Sequence, residues 1–402
     1  MATLVLTAVG SLFGPLGGAL GGLIGRQIDG QLFGPASQKG PRLKELSITT
    51  SSYGAVVPRH YGRMRTGGTI IWSTDLKEHR EKSGGGKGRP KVTTYSYSVS
   101  FAVALSSRPL RDVGRIWADG TLLRGGAGDL KASGALRLHT GRYDQQPDPL
   151  IAAAEGASQC PAFRGLAYCV FEDLDLSDFG NRIPALTFEV IADDGELSLL
   201  DLVGDALDQV EAALPLPGLA GFTAEGSLLD SLSLLQPAFP IDCDAAGERV
   251  ILSQASTQAE PIALPAAAVS AEDGDFGGRD GQARTLRPPA TAMPGALRYY
   301  DLERDYQPGL QRGDARAGSG QVQTVDLPAA LSPLSARDLA RRMFRQDSWS
   351  RHQASYRTSA VDPAVRPGAI VSLPDETGLW RVQSWEWRAA GVKTKPATCI
   401  KP

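Results

Sequence analysis

Residues 95–105 read YSYSVSFAVAL, and this stretch decides the fold of the chain. Large side chains alternate with serine or alanine from Tyr95 to Leu105, which is the two-residue period of a β-strand. The small residues on the second face indicate that a sheet, a helix or a neighbouring subunit packs closely there. We therefore expect a buried strand in the interior of a sheet.

The sequence on both sides of this strand is also typical of β structure. Asp119-Gly120 separates two short apolar runs and supplies the positive φ angles of a type I′ hairpin. By contrast, residues 77–91 are dense in charge and glycine, which predicts an exposed, mobile loop. Further strands are predicted at Leu46–Thr49, Thr69–Trp72, Leu166–Phe171 and Leu186–Ile191.

Helical spacing first appears after residue 192. Two sets of apolar residues recur at helical intervals, namely Leu200, Val203, Leu207 and Val210, and then Leu228, Leu232 and Leu235. A strand is predicted at Leu297–Asp305. Ser335–Asp338 resembles a capping box and predicts a helix, whose inward side chains are Leu339, Ala340, Met343 and Phe344. Strands are predicted again at Ile370–Leu373 and Leu379–Trp387.

These patterns predict a mainly β fold with α+β elements, divided into several domains. A length of 402 residues exceeds one ordinary domain, and 46 Gly and 27 Pro indicate many loops. The predicted units are a glycine-rich apolar segment at 1–40, a first β domain at 41–192, a small α+β domain at 193–280 and a second β domain with one helix at 281–402.

Charge and cysteine content exclude several classes of function. The formal net charge is -2, so nothing global attracts the chain to nucleic acid or to an anionic membrane. Any basic contact must therefore be local. The four cysteines include no C-x-x-C pair, which argues against a zinc site and against a local disulfide framework.

The run from Leu4 to Gly25 carries no charge and is long enough to span a bilayer. Its many glycines, Pro15 and the absence of a preceding Lys or Arg argue against a membrane span and against a signal peptide. We favour close packing against other copies of the chain near a symmetry axis, because glycines let backbones approach tightly.

Lys82, Lys87, Arg89 and Lys91 surround a glycine run that faintly resembles a phosphate-binding loop. Gly88 stands where that loop needs Ser or Thr, and neither a preceding strand nor a following helix is predicted. We expect the tip of a flexible hairpin, whose four cations contact an acidic neighbouring subunit or DNA.

Asp301, Glu303 and Asp305 recur at every second residue, so they are predicted to share one face of a strand. Tyr306 stands where an EF-hand loop requires Gly, which argues against calcium. We expect cross-strand charge pairing instead. No metal ligand and no cofactor site is predicted.

A second acidic cluster comprises Glu172, Asp173, Asp175 and Asp178. Paired carboxylates suit a glycosidase, but acids in one loop seldom lie on opposite sides of a substrate. The four histidines are scattered, without metalloprotease spacing, and no G-x-S-x-G motif occurs. No catalytic residue is therefore predicted.

Several longer stretches carry a family resemblance. They are TSSYG at 50–54, SGGGKGRP at 83–90, YSYSVSFAVAL at 95–105, IWADGTLL at 116–123, RGLAYCVFEDLDLSDFGNRIPALTFEV at 164–190, RYYDLERDYQPGLQ at 298–311 and VDLPAAL at 325–331. In these stretches the chain resembles the hub region of phage tail-tip proteins. In particular, it resembles the long tail protein of gene transfer agents and the related host-specificity proteins of siphophages.

The resemblance implies a structural virion protein without enzymatic activity or cofactor. Each subunit would contain two β-barrel-like hub domains and a small α+β domain. Three subunits would form a ring with pseudo-six-fold symmetry that joins the tail tube to the tip and the host-recognition apparatus. The implied location is the tail tip of a virion, after synthesis in the bacterial cytoplasm.

The implied partners are further copies of the chain, the distal tail protein ring and other tail-tip proteins. Transient contact with the host envelope is also implied, whereas specific recognition of nucleic acid is not. Related proteins continue into further domains leading to fibres, so we expect host-binding functions to be absent or truncated in this sequence. Two alternatives stay open: a cell-wall glycan hydrolase, and a tip protein that inserts Leu4–Gly25 into a membrane during DNA delivery.

Overall fold

Strands are the main regular secondary structure in a computed structural model of the chain. The structure describes residues 54, 56–83, 92–204, 210–212, 214–244, 249–254, 260–269, 280–286, 292–313, 321–360, 362–374, 376–388 and 391–399. These residues belong to one compact unit, Leu43–Pro402. They form several sheets with few helices, so the predicted mainly β, multi-domain fold class is confirmed. The N-terminal segment at 1–40 lies outside the described residues.

The strands and helices have the following bounds. The strands are β1 (Arg59–Gly67), β2 (Thr69–Ser73), β3 (Lys77–Ser83), β4 (Val92–Ser106), β5 (Asp112–Ala118), β6 (Thr121–Arg124), β7 (Ala135–His139), β8 (Ala167–Asp175), β9 (Leu186–Ile191), β10 (Val210–Glu211), β11 (Leu219–Ala224), β12 (Ile241–Asp244), β13 (Val250–Gln254), β14 (Ile262–Ala263), β15 (Gln282–Leu286), β16 (Ala292–Asp301), β17 (Gln307–Arg312), β18 (Gln321–Leu331), β19 (His352–Thr358), β20 (Ile370–Ser372), β21 (Leu379–Arg388) and β22 (Gly391–Cys399). The helices are α1 (Pro149–Glu155), α2 (Leu199–Val203), α3 (Leu228–Leu235) and α4 (Pro333–Ser350).

β4 is an interior strand, as its alternating sequence predicts. Its sheet has the order β2-β4-β8-β7, and β3 also pairs with β4. Phe101 and Val103 point into a hydrophobic core, where Phe101 stacks on Phe171 of β8 with 4.9 Å between ring centroids. Ala102, on the opposite face, packs in a smaller cluster with Ile151 of α1. The close-packed second face is therefore confirmed, and a helix covers it.

A sheet of eight strands has the order β17-β16-β18-β11-β1-β9-β5-β6. The first half of β1 pairs with β11, and the second half pairs with β9. The change of partner falls at Gly62, which has a φ of +63° and faces Gly221 of β11. A side chain at either glycine would collide with the opposite backbone, so the two strands can cross closely only because both residues are glycine.

Two large cores meet along β1. Met64 of β1 belongs to a first core, which also includes Ile116 of β5 and Phe188 of β9 as well as residues of β4 and β8. Tyr61 of β1 belongs to a second core, which contains Phe222 of β11 and residues of α2, α3 and α4. Burying each of these large side chains contributes about 1.5–3 kcal/mol of hydrophobic free energy, so both cores stabilise the position of β1.

Two further sheets complete the described fold. A six-stranded sheet has the order β14-β20-β21-β22-β19-β15 and buries Tyr356, Val371 and Trp380 in a third core. A three-stranded sheet has the order β10-β13-β12. No helix in the described ranges meets the length and apolarity that crossing a membrane demands.

The structure confirms some local predictions and corrects others. Asp119 and Gly120 have φ angles of 49° and 83°, and they join β5 to β6 as predicted. Residues 77–83 were predicted as a loop but form β3, because their backbone pairs with β4 from Lys77↔Ser98 to Ser83↔Val92. Ladder hydrogen bonds thus override an unfavourable composition. The rest of the predicted loop, at 84–91, lies outside the described residues.

Two predicted boundaries in the C-terminal part are also wrong. The strand expected at Leu297–Asp305 ends at Asp301, because residues 302–304 form a 3₁₀ turn. The predicted helix begins at Pro333 instead of Ser335, because Ser332 accepts a hydrogen bond from the Ser335 backbone. The domain boundaries at 192 and 280 stay a prediction, while the eight-stranded sheet combines strands from all three predicted folded segments.

Candidate functional site

The four cations predicted to contact a neighbouring subunit or DNA do not form a site within the described residues. Lys82 lies in β3, and Lys87, Arg89 and Lys91 lie outside the residues that the structure describes. Their contact with an acidic subunit or with DNA stays a prediction. The best-defined charged assembly lies elsewhere, between the first core and the turn that follows β16.

We call this assembly the clasp, and it comprises Arg65, Arg115, Trp117, Thr187, Glu189, Asp305 and Tyr306. Arg65 of β1 lies over the indole ring of Trp117, with 3.8 Å between the guanidinium carbon and the ring centroid. Its Nε donates to Thr187 Oγ1 at 2.9 Å, and its Nη1 donates to the backbone oxygen of Asp305 at 3.0 Å. Arg65 of β1 thus connects β9 with the turn at residues 301–306.

Arg115 provides the ionic part of the clasp. Its guanidinium donates to both carboxylate oxygens of Glu189, at 2.9 and 3.1 Å, in the bidentate geometry that gives the strongest ion pairs. It also donates to Asp305 Oδ1 at 2.5 Å. Burial alone would raise the pKa of Glu189, but the hydrogen bonds from Arg115 and Tyr306 and the charge of Arg115 together outweigh it and lower that pKa. Glu189 is therefore held as a carboxylate.

The turn at the clasp has an unusual backbone. Asp305 and Tyr306 have φ angles of 50° and 61°, a left-handed conformation that costs free energy for residues other than glycine. Three contacts hold it: the Tyr306 hydroxyl donates to Glu189 at 3.0 Å, the Tyr306 amide donates to the Asp301 carbonyl at 2.7 Å, and Arg65 holds the Asp305 carbonyl. Burial, together with the neighbouring Glu189, raises the pKa of Tyr306.

Sequence reasoning placed Asp301, Glu303 and Asp305 on one strand face, and this is wrong. Asp301 instead accepts a hydrogen bond from the Glu303 amide and starts the turn, and Asp305 pairs with Arg115. The clasp could have been suspected from charged residues that stand next to core residues in the sequence. Arg65 adjoins a core residue in β1, and Glu189 adjoins core residues in β9. Arg65 contacts Asp305, 240 residues away, and Glu189 contacts Tyr306, 117 residues away, so the local sequence gives no sign of these contacts.

A second polar cluster surrounds Asp148, whose side chain is fully buried. Asp148 caps α1 by accepting from the amides of Leu150 and Ile151, and it also accepts from Arg137 and His139. Burial alone would raise its pKa, but these hydrogen bonds lower it to about 2. These contacts attach the start of α1 to Arg137 and His139 of β7, which is a structural role.

The acids considered for a glycosidase lie on one strand and its following turn. Glu172 pairs with Arg137, Asp173 pairs with Lys77 at 2.6 Å, and Asp175 accepts from the Ser177 amide. Each of these three carboxylates is thus paired with a cation or a backbone amide. All three lie on the same strand, and none is placed across a cleft from another, as a glycosidase requires. Among the described residues, no group of three or more His, Cys, Asp or Glu side chains is arranged to hold a metal ion.

One small cavity, of about 170 Å³, opens beside the first core. It is lined mainly by apolar side chains, among them Val113, Leu130 and Cys169, and by Arg124. Arg124 donates to the carbonyl of Val113. Burial raises the pKa of the Cys169 thiol to about 12, so the thiol is neutral and a poor nucleophile.

Comparisons with known proteins show that the chain is similar to phage tail proteins. A family model described as "Putative phage tail protein" matches residues 227–385. A chain from the virion of a native gene transfer agent particle matches with a TM-score of 0.70 and 25% sequence identity. Together with the mainly β fold, these matches support the interpretation of the chain as a phage tail protein.

The similarity to the gene transfer agent chain is nearly end to end, covering 98% of this chain and 97% of that one. Two other matched structures are the 43 kDa tail protein of prophage MuSo2 from Shewanella oneidensis and the tail protein from Neisseria meningitidis MC58. Their identities are 8% and 10%, their TM-scores are 0.33 and 0.35, and they cover 80% and 84% of this chain and 97% and 96% of their own. No curated protein matches the sequence.

Proposed function

We propose that this chain is a subunit of a baseplate hub at the tip of a phage-type tail. Three copies form a ring with pseudo-six-fold symmetry, which connects the tail tube to the tip and its host-recognition apparatus. The similarity over 98% of the chain to a chain of the gene transfer agent virion carries this proposal. The role is structural, and the partners are further copies, the distal tail protein ring and other tail-tip proteins.

The architecture supports this mechanical role. The two large cores lie along one continuous sheet and share β1, and the clasp connects them through charged hydrogen bonds. A subunit that joins two rings of a tail must keep its two docking surfaces in a fixed relation, because a closed ring tolerates little variation in angle. The shared strand β1 and the partly buried ionic contacts of the clasp contribute that rigidity.

The mass of the purified chain in solution tests the ring. Light scattering over a concentration series is expected to show a species of three times 42.5 kDa, and electron micrographs of that species are expected to show six similar lobes. A mass of 42.5 kDa at every concentration, together with particles whose tail tips lack three copies of this chain, would contradict the proposal.

A further inference from the structure

Helix α4 has one apolar face and one basic face. Its apolar face buries Ala336, Leu339, Ala340 and Met343 in the second core. The opposite face contains Arg337, Arg341, Arg342 and Arg345, with Asp338 as the acid among them. On a helical projection the basic residues span about 140° and lie directly opposite the apolar ones. Arg337 and Arg345 are exposed, and Arg342 is half-buried.

Three of these arginines have no ionic partner among the described residues. Arg337, Arg342 and Arg345 take part in no salt bridge or side-chain hydrogen bond there, although Asp338 stands four residues before Arg342. Arginines of the first core region behave differently: Arg108 pairs with Asp193, Arg115 with Glu189 and Arg137 with Asp148. Within the described part of the chain, these three arginines are neutralised by carboxylates, whereas Arg337, Arg342 and Arg345 concentrate positive charge on α4.

We propose that this basic face of α4 binds the phosphate backbone of DNA without sequence selectivity. Arg337 and Arg345 lie eight residues apart, about 12 Å along the helix axis, and Arg342 lies between them. That distance is close to two phosphate steps along one strand of DNA. The guanidinium fork matches a phosphate in two-point geometry, and all four basic residues of this face are arginine.

The choice of DNA over an acidic protein partner has two grounds. Phosphates recur as a regular line of charges along DNA, so they can contact several arginines of one helix face at once, whereas carboxylates on a protein surface are scattered. The second ground rests on the proposed function, since a subunit at the outlet of a tail contacts the DNA that leaves it. A chain with a net charge of -2 needs such a local basic surface for any contact with phosphate.

A titration of labelled duplex DNA with the full chain tests this proposal. The probe is a mixed-sequence duplex of about 30 base pairs, and its fluorescence anisotropy is followed between about 50 and 200 mM salt. The variant Arg337→Gln/Arg342→Gln/Arg345→Gln is expected to bind at least about tenfold more weakly. The slope of log affinity against log salt concentration is expected to become shallower by about 2 to 3. A second mixed sequence should bind equally well.

The matched control is Arg142→Gln/Arg249→Gln/Arg304→Gln, which removes the same three charges from exposed arginines elsewhere. It should keep the affinity and slope of the original chain. Equal losses in both variants, absence of binding at low salt, or poly-glutamate that competes as well as DNA would each overturn the proposal. Light scattering of the same samples measures the mass of the assembly. Failure of the proposed trimeric hub can therefore be distinguished from failure of the proposed DNA-binding surface.

Discussion

His60 of β1 is a fully buried titratable side chain at the junction of the two large cores. Its Nδ1 lies 3.0 Å from the Thr223 hydroxyl of β11, and its backbone carbonyl accepts from Arg108. Burial lowers the pKa of the imidazole from 6.5 to about 4, because a charge there would lose its hydration. Thr223 pairs with Nδ1 of the neutral ring, whereas the buried Nε2 has no hydrogen-bond partner among the described residues.

This burial predicts a loss of stability on mild acidification. The unfolded chain binds a proton at His60 near pH 6.5, whereas the folded chain does so only near pH 4. The contribution is therefore complete above pH 6.5 and falls by up to about 1.4 kcal/mol per pH unit down to pH 4. Denaturant unfolding at several pH values should show this slope, and His60→Gln should remove it. The exposed His79→Gln is the control, and a slope that persists in His60→Gln would contradict the assignment.

At the scale of elements, the crossing of β1 and β11 depends on two glycines. A Cβ on Gly221 would lie 1.9 Å from the Arg63 carbonyl oxygen, and one on Gly62 would lie 2.2 Å from the Ala220 carbonyl oxygen. Both contacts are with backbone, which cannot move aside without separating the strands. The change of partner from β11 to β9 is built on this close approach.

Gly221→Ala is therefore expected to destabilise the chain by about 3 kcal/mol or more, or to prevent folding, because the strands must separate. Gly126→Ala is the matched control, since no atom lies within 4 Å of the position that its added Cβ would take and its effect should stay within about 0.5 kcal/mol. Denaturant midpoints of the two variants provide the comparison. Equal midpoints would show that the strands at the crossing separate at little cost.

Elements with a strong local pattern could be predicted from the sequence. The alternation in β4, the Asp119-Gly120 hairpin and the leucine stripe of α3 all depend on neighbours within a few residues, so the pattern carries the information. The β3 strand could not be predicted, because only pairing with β4 makes its charged sequence extended. The clasp was missed for the same reason, since its contacts join residues that are far apart in the chain.

The sheet topology also lies beyond local patterns. β11 follows α2 and β10 in the sequence, yet it lies between β18 and β1 in the eight-stranded sheet. Nothing near residues 219–224 specifies either neighbour. Only the fit of Phe222 into the second core and the glycine crossing with β1 select that place. Packing of distant segments, which a single sequence does not display, thus decides the arrangement of the predicted elements.

At the scale of the whole molecule, the clasp links the turn at residues 301–306, which follows β16, to the first core. Tyr306 packs its ring in the first core, whereas Tyr299 and Leu297 of the preceding strand belong to the second. The left-handed backbone at Asp305 and Tyr306 is stable only while Arg65, Arg115 and Glu189 hold it. We therefore expect the clasp to make the two cores unfold together.

Asp305→Asn/Tyr306→Phe should uncouple them. Asparagine tolerates the left-handed conformation and phenylalanine keeps the ring, so the double variant removes mainly the contacts with Arg115 and Glu189. The loss should be about 2 kcal/mol, most of it from the buried Tyr306 hydroxyl, since Asp305 is half-exposed. Calorimetry should then resolve two transitions in place of one cooperative unfolding. Asp178→Asn/Tyr143→Phe makes the same chemical changes at exposed sites and should keep one transition. A single transition in both variants would mean that the shared strand β1 alone couples the cores.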